Sequence, residues 1–202
     1  MQRRVAEIRA RIADGRSELV GTSDPEPITL AKASDDWPRA FEEMRSRLAE
    51  VLGDEVRIEH VGSTSIPGIA AKPIIDIQVS VPDIEDERAF VPGIESLGLA
   101  LRAREPDLAH LYFRNNPRTV QIHVCQFGSK WERDHLLFRD YMRAHPERAR
   151  QYEALKWSAA DTYRDDRIAY TEAKGPLIEG VLADAEEWAG RTGWRVIGAH
   201  SS

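Results

Sequence analysis

Apolar residues recur at helical spacing near the start of the chain and alternate with polar residues in several segments that follow. Phe41, Met44, Leu48 and Val51 lie three or four residues apart, which predicts a helix that begins near Pro38. Alternation and β-branched content predict strands, with a helix at Glu85–Leu97 between the second and the third. The predicted strands are Val56–Val61, Pro73–Val81, Leu99–Arg102, His110–Arg114 and Thr119–Phe127.

From Trp131 onward the apolar pattern becomes helical. Pro146 marks a helix start, and Asp165 is a candidate cap for a last helix that continues to about Trp188. A helix, a mixed sheet and then further helices within one domain predict an α+β (α/β) fold, with a mixed sheet packed by helices.

The first residues form a separate segment. Val5, Ile8, Ile12 and Leu19 stand among arginines at helical spacing, which predicts a short amphipathic helix over residues 2–20. Residues 21–27 have the composition of a linker, so the main domain is expected at 28–190, after a 1–27 segment and before a 191–202 tail. The helix either docks on the main domain or forms a homodimer contact or a basic ligand patch.

Three predicted strands each have one apolar side and one side rich in functional groups. The residues on the polar sides are Asp76 with Gln78 and Ser80, Gln121 with His123 and Cys125, and His110 with Tyr112 and Arg114. A hairpin between the last two strands places Arg114 and Tyr112 beside Gln121 and His123. We expect helices over the apolar face and a cleft over the polar face, where the alternative is a merely solvated surface.

The stretch from His60 to Val79 combines a small-residue loop with a carboxylate inside an apolar strand. Gly62, Ser63 and Thr64 follow a strand, and their backbone N–H groups and hydroxyls could cradle phosphate oxygens. Asp76 lies inside an apolar strand, where a carboxylate is costly unless it is paired, hydrogen-bonded or bound to a metal. The structural alternative is that Asp76 caps or hydrogen-bonds the Gly62–Ser65 loop.

Composition narrows the classes of protein. The chain has 202 residues, a formal net charge of -6 and one cysteine, Cys125, which excludes an intrachain disulfide and a cysteine-based zinc cluster. No apolar run has the length of a membrane span, and we expect a cytoplasmic protein without a membrane partner. The acidic balance argues against sequence-independent binding of nucleic acid, which needs a basic surface, although a local basic patch is compatible with it. We expect no sequence-specific nucleic-acid partner either.

With these motifs the sequence resembles the bacterial GrpB, or UPF0157, family, which is assigned to the nucleotidyltransferase superfamily. The resemblance covers about residues 28–185 and rests on several segments in the same order. They are Asp36–Phe41, Ile58–Gly68, Ala71–Ile77, Phe138–Pro146 and Tyr170–Lys174.

The resemblance implies roles for individual residues. Gly62 and Ser63 match the phosphate turn, and Asp76 matches the first metal-binding carboxylate. Gln78 stands at the second carboxylate position, and His123 stands where a later strand usually supplies a third. A divalent metal, Mg²⁺ or Mn²⁺, would therefore be held by Asp76 and His123, with an Asp–His pair better suited to Mn²⁺ or Zn²⁺.

Further groups suit an anionic ligand. Lys72 and Arg114 could bind phosphates, although a loop lysine is more often solvated. Tyr170 and Lys174 are a candidate cleft wall. They share a helix face with Tyr163 and Arg167 if their helix is continuous. The alternative is that they only pack the helix on the domain. We interpret His135 and His145 as structural or solvated.

Three functions are weighed. The first is a nucleotidyltransferase-like enzyme that binds an NTP or other phosphorylated nucleotide and transfers a nucleotidyl group with a divalent metal. The second is a catalytically degenerate module that binds nucleotides or CoA-related ligands, because similar domains are fused to dephospho-CoA kinase, which implies a link to coenzyme A biosynthesis. The third is a scaffold or chaperone accessory. Gln78, at the second carboxylate position, is the residue that distinguishes the first two functions.

Overall fold

The computed structural model describes residues 14, 18–19 and 27–196. Most of the predicted N-terminal helix, nearly all of the linker and residues 197–202 of the tail lie outside the described residues. The helix prediction is wrong at its end, because Glu18–Leu19 form a short strand that pairs antiparallel with Ala103 and Arg104.

The described strands form one six-stranded mixed sheet, in which five strands correspond to the predicted ones and β1 was not predicted. Their bounds are β1 Glu18–Leu19, β2 Arg57–Val61, β3 Ile75–Val81, β4 Ala100–Glu105, β5 His110–Arg114 and β6 Val120–Gln126. Their order is β1-β4-β5-β6-β3-β2, with β3 and β6 parallel and the other neighbours antiparallel. Arg114 lies opposite Gln121 and Tyr112 opposite His123, which confirms the predicted hairpin register.

The α-helices are α1 Asp36–Leu52, α2 Val91–Ser96, α3 Lys130–Ala144, α4 Pro146–Thr162, α5 Arg167–Ala173 and α6 Gly175–Thr192. Two helix predictions need correction. The helix expected at Glu85–Leu97 is a 3₁₀ turn followed by α2, and the last helix is divided into α5 and α6. Pro92 and Pro176 each lie in a first turn, where proline ends any preceding helix and begins a new one. No helix in the described part of the chain combines the length and the hydropathy of a membrane span.

The apolar face of the sheet carries the main core. Ile77, Phe113 and Ile122 are completely buried there, beneath Phe41 and Leu48 of α1. Alternation along each strand places these side chains on one face, so the pattern in the sequence is also the pattern of burial.

The polar face is only partly open, which corrects the expectation of a cleft over all of it. Helix α3 covers the part that holds Gln78, Ser80 and Cys125, all completely buried, and Gln78 Nε2 donates to the Glu132 carbonyl at 3.5 Å. A second apolar core joins α3, α4 and α6 with Ile66 and Ile69. The helical half of the chain therefore closes one end of the polar face and leaves a cleft at the other.

Lys156 of α4 is buried beside that second core. Its side chain is 1% exposed, its Nζ donates to the Ala70 carbonyl, and it lies 4.9 Å from the centre of the Tyr152 ring. Burial, with a smaller contribution from Lys174, lowers the pKa of Lys156 to about 7. The folded protein thus loses this proton at a lower pH than the unfolded chain does.

We expect the free energy of unfolding to rise between about pH 7 and pH 10, because the unfolded chain there binds a proton that folded Lys156 has released. Chemical denaturation of wild type and Lys156→Met across this window measures the effect, and the variant should show a shallower rise. Lys130→Met, at an exposed lysine, should keep the wild-type slope. Equal slopes for wild type and Lys156→Met would contradict the expectation.

Candidate functional site

The glycine turn after β2 is built around the Asp76 carboxylate. Val61, the last residue of β2, pairs with Asp76 on β3, and the chain then turns at Gly62 with φ 69° into a short 3₁₀ helix at Ser63–Ser65. A Cβ on Gly62 would lie 2.3 Å from Asp76 Oδ2. Position 62 therefore requires glycine both for its backbone conformation and for the close approach of the carboxylate.

The loop from this turn to Lys72 is held on two sides. The Ala70 N–H donates to Glu153 Oε1 at 2.6 Å, while its carbonyl accepts from Lys156. Ala71 exchanges two backbone hydrogen bonds with Ala31, of 2.8 and 3.0 Å. These bonds fix the backbone immediately before Lys72, so its side chain starts from a rigid position.

Between the open end of the polar face and the helical half lies a cleft of about 400 Å³. It brings together eight of the nine site residues predicted from the sequence, namely Gly62, Ser63, Thr64, Lys72, Asp76, His123, Tyr170 and Lys174. The remaining one, Arg114, is 3% exposed and is not among the residues that line the cleft. Its place opposite Gln121 is as predicted, but the fold buries its side chain instead of presenting it.

One side of the cleft is a cationic wall, formed by Lys72, Lys174 and Tyr170. The Tyr170 ring is 1% exposed, and the Nζ atoms of Lys72 and Lys174 lie 5.3 and 4.4 Å from its centre. Burial and, to a smaller extent, the charges of Lys174 and Arg167 together lower the pKa of Lys72 to about 7, while the charge of Asp76 opposes them. An anion beside these ammonium groups would relieve their repulsion.

The wall does not extend to Tyr163, as a continuous helix would have required. Helix α4 ends at Thr162 and α5 begins at Arg167, where the Asp166 carboxylate accepts from the Ala169 N–H as an N-cap. Tyr170 and Lys174 alone among this set line the cleft.

On the floor of the cleft, Asp76 and His123 project from the same face of neighbouring parallel strands, as predicted. Asp76 Oδ1 and His123 Nε2 are 3.8 Å apart, too far for a hydrogen bond and near enough to share one ligand. Within the described ranges no group of three or more His, Cys, Asp and Glu side chains is placed to hold a metal. Gln78, which the resemblance assigns to a second carboxylate position, is buried under α3 and does not line the cleft.

Helices α3 and α4 contribute cleft residues that the sequence analysis missed. Asp134, His135 and Phe138 of α3 and Tyr152 of α4 line the cleft. The interpretation of His135 as merely structural or solvated is therefore incomplete, whereas His145 is structural, stacked on Tyr141 at 4.0 Å. The spacing of the three α3 residues places them on one helix face, but which face meets the sheet is not a local property.

The chain is similar in sequence and in structure to known bacterial proteins. Residues 27–184 match the family described as GrpB protein. The chain is 35% identical over 168 residues to a UPF0157 protein, SCO7215, of Streptomyces coelicolor, covering 83% of this chain and 89% of that one. The crystal structure of GrpB from Enterococcus faecalis superposes with a TM-score of 0.70 at 31% identity, over 79% of this chain and 99% of that one. The chain belongs to the GrpB family.

A further relative is a longer protein. The dephospho-CoA kinase of Mycolicibacterium paratuberculosis is 29% identical over 197 residues, which cover 84% of this chain and 48% of the kinase. The present chain thus corresponds to about half of that protein.

Replacement of Gly62 tests the contact between the turn and Asp76. Gly62→Ala is expected to lower the free energy of unfolding by about 3 kcal/mol or more, since a clash with Asp76 adds to the strain of a positive φ. Gly68→Ala is the matched control, because Gly68 has φ 78° and nothing within 4 Å of an added Cβ. It should cost about 1–2 kcal/mol.

Chemical denaturation measures both variants, and Gly62→Ala combined with Asp76→Ala should recover part of the loss. Equal losses for Gly62→Ala and Gly68→Ala would show that the carboxylate does not constrain the turn.

Proposed function

We propose that the cleft binds a nucleotide or another phosphorylated small molecule. The observation that carries this proposal is the pair of ammonium groups, Lys72 and Lys174, which lie 5.3 and 4.4 Å from the centre of one buried tyrosine ring. Two like charges at a partly desolvated site are unfavourable by themselves, and a phosphate offsets both through charge-assisted hydrogen bonds. The loop that carries Lys72 is fixed before any ligand arrives, which lowers the entropic cost of binding.

Two parts of the cleft suit chemically different parts of such a ligand. Phosphate oxygens would lie between the cationic wall and the Gly62 turn, where the Ser63 side chain offers a hydroxyl group. The Thr64 hydroxyl, predicted for the same role, is buried and donates to the Ile74 carbonyl at 3.3 Å. The apolar part of the lining, with Phe138, Ile178 and Leu182, would receive the remainder of the molecule. A cleft of about 400 Å³ is within the range of small-molecule sites.

A divalent metal fits this site only together with the ligand. Asp76 and His123 offer one oxygen and one nitrogen ligand, a mixed set that suits Mn²⁺ better than Mg²⁺. The buried amide of Gln78 cannot replace a second carboxylate. Phosphate oxygens would complete the coordination, and the metal would supply positive charge to the phosphates.

Transfer of a nucleotidyl group is the finer form of the proposal, and a binding module without catalysis is the second candidate. The loss of the second carboxylate at Gln78 favours the binding module. The match to half of a dephospho-CoA kinase favours a CoA-related ligand for it. A cytoplasmic location and a homodimer through the N-terminal segment stay predictions.

Binding measurements on charge-neutral variants test the proposal. Lys72→Met and Lys174→Met should each weaken binding of ATP by about 1.5–3 kcal/mol, because each removes a charge-assisted hydrogen bond to phosphate. Isothermal titration of both variants with ATP, inorganic triphosphate and dephospho-CoA provides the measurement. Arg39→Ala is the control, since Arg39 is an exposed cation on α1, over the opposite face of the sheet.

A similar loss for triphosphate and ATP would assign the affinity to the phosphates. Wild-type protein that binds none of the phosphorylated probes, or unchanged affinity in both lysine variants, would contradict the proposal.

A further inference from the structure

A series of hydrogen-bonded polar side chains runs from the cleft across β6 and β5 to the last residue of β4. His123 Nδ1 lies 3.0 Å from His110 Nε2, and His110 Nδ1 lies 2.8 Å from Glu105 Oε2. At the cleft end, His123 Nε2 faces Asp76 Oδ1 at 3.8 Å. Both ring nitrogens of His110 are therefore used inside the protein, while His123 has one nitrogen used and one facing the cleft.

The fold holds the middle of this series rigidly. Glu105 and His110 are paired residues of β4 and β5, so their side chains leave the same face. His110 is 3% exposed and stacks on Trp131 of α3 with ring centres 3.9 Å apart. Its ring cannot turn without disturbing that contact, which makes the series a property of the packed structure.

The direction of the hydrogen bonds follows from the acceptor at the end. An ionised Glu105 carboxylate only accepts, so His110 carries its proton on Nδ1. At about pH 8, above the ordinary pKa of a histidine side chain, the buried His110 ring is neutral and has a bare Nε2. That nitrogen accepts from His123 Nδ1–H. A neutral His123 then has a bare Nε2, whose lone pair is directed to the cleft.

We propose that Glu105 and His110 are positioning residues that fix His123 as the Nδ1–H tautomer, with the Nε2 lone pair facing the cleft beside Asp76. A lone pair there can bind a metal or accept a proton from a ligand hydroxyl, and the Nε2–H tautomer can do neither. The pair acts as the carboxylate does behind a catalytic or metal-binding histidine, with one imidazole inserted between them. The use of this lone pair rests on the proposed function, whereas the tautomer does not.

Nuclear magnetic resonance reads the tautomer directly. Long-range ¹H–¹⁵N correlation spectra of the full chain with ¹⁵N-labelled histidine, without ligand at about pH 8, should show His110 and His123 protonated on Nδ1 with bare Nε2. In His110→Phe a flat aromatic ring is kept and the acceptor is lost, so His123 should become a mixture of tautomers. His145→Phe, which changes a ring that donates to the Tyr141 carbonyl, is the control and should leave His123 unchanged.

A wild-type His123 protonated on Nε2 would overturn the inference, and this spectrum decides the matter even if His110→Phe does not fold. His110→Phe should also weaken binding of ATP with Mn²⁺ by roughly 10- to 100-fold. Because the spectra need no ligand, absence of ATP binding in the wild type would contradict the proposed function and not the tautomer.

Discussion

The contact between the Asp76 carboxylate and the Gly62 backbone is the constraint around which the site is organised. It joins the end of β2 to the start of β3 and leaves no space for a side chain at position 62. The carboxylate is thereby directed to the edge of the cleft, next to His123 on the parallel strand β6. The turn, the acidic group and the imidazole are positioned by one packing arrangement.

The opposite side of the cleft depends on desolvated lysines. Lys156 is buried, and its Nζ donates a hydrogen bond to the Ala70 carbonyl. Lys72 comes two residues after Ala70 and lines the cleft. Burial costs each lysine part of its proton affinity, and the pKa of each falls to about 7. At Lys156 a backbone carbonyl compensates inside the protein, whereas at Lys72 an anionic ligand would provide the compensation. The fold thus places the positive charge of Lys72 in an unfavourable environment, at the position where the negative charge of a phosphate would stabilise it.

The sequence predicts the features of this fold that depend on a local period. Alternation assigned Asp76 and His123 to one face, and the hairpin placed Tyr112 beside His123, because a one-residue slip would turn the apolar side chains out of the core. Orientation between elements has no such local signal. His135 lines the cleft because α3 packs over the polar face of the sheet, and Arg114 is buried although its register was predicted. Glu105 was also missed, since β4 continues beyond its apolar alternation into Ala103–Glu105.

The central claim is that the cationic wall and the Asp76–His123 pair act on one ligand, and the dependence of ATP affinity on Mn²⁺ tests it most directly. Two protein ligands hold a metal weakly, so phosphates and metal should bind together. Isothermal titration should show tighter ATP binding to the wild type with Mn²⁺ than without it. Asp76→Asn should abolish this difference and keep the metal-free affinity. An equal gain from Mn²⁺ in both proteins would contradict the account.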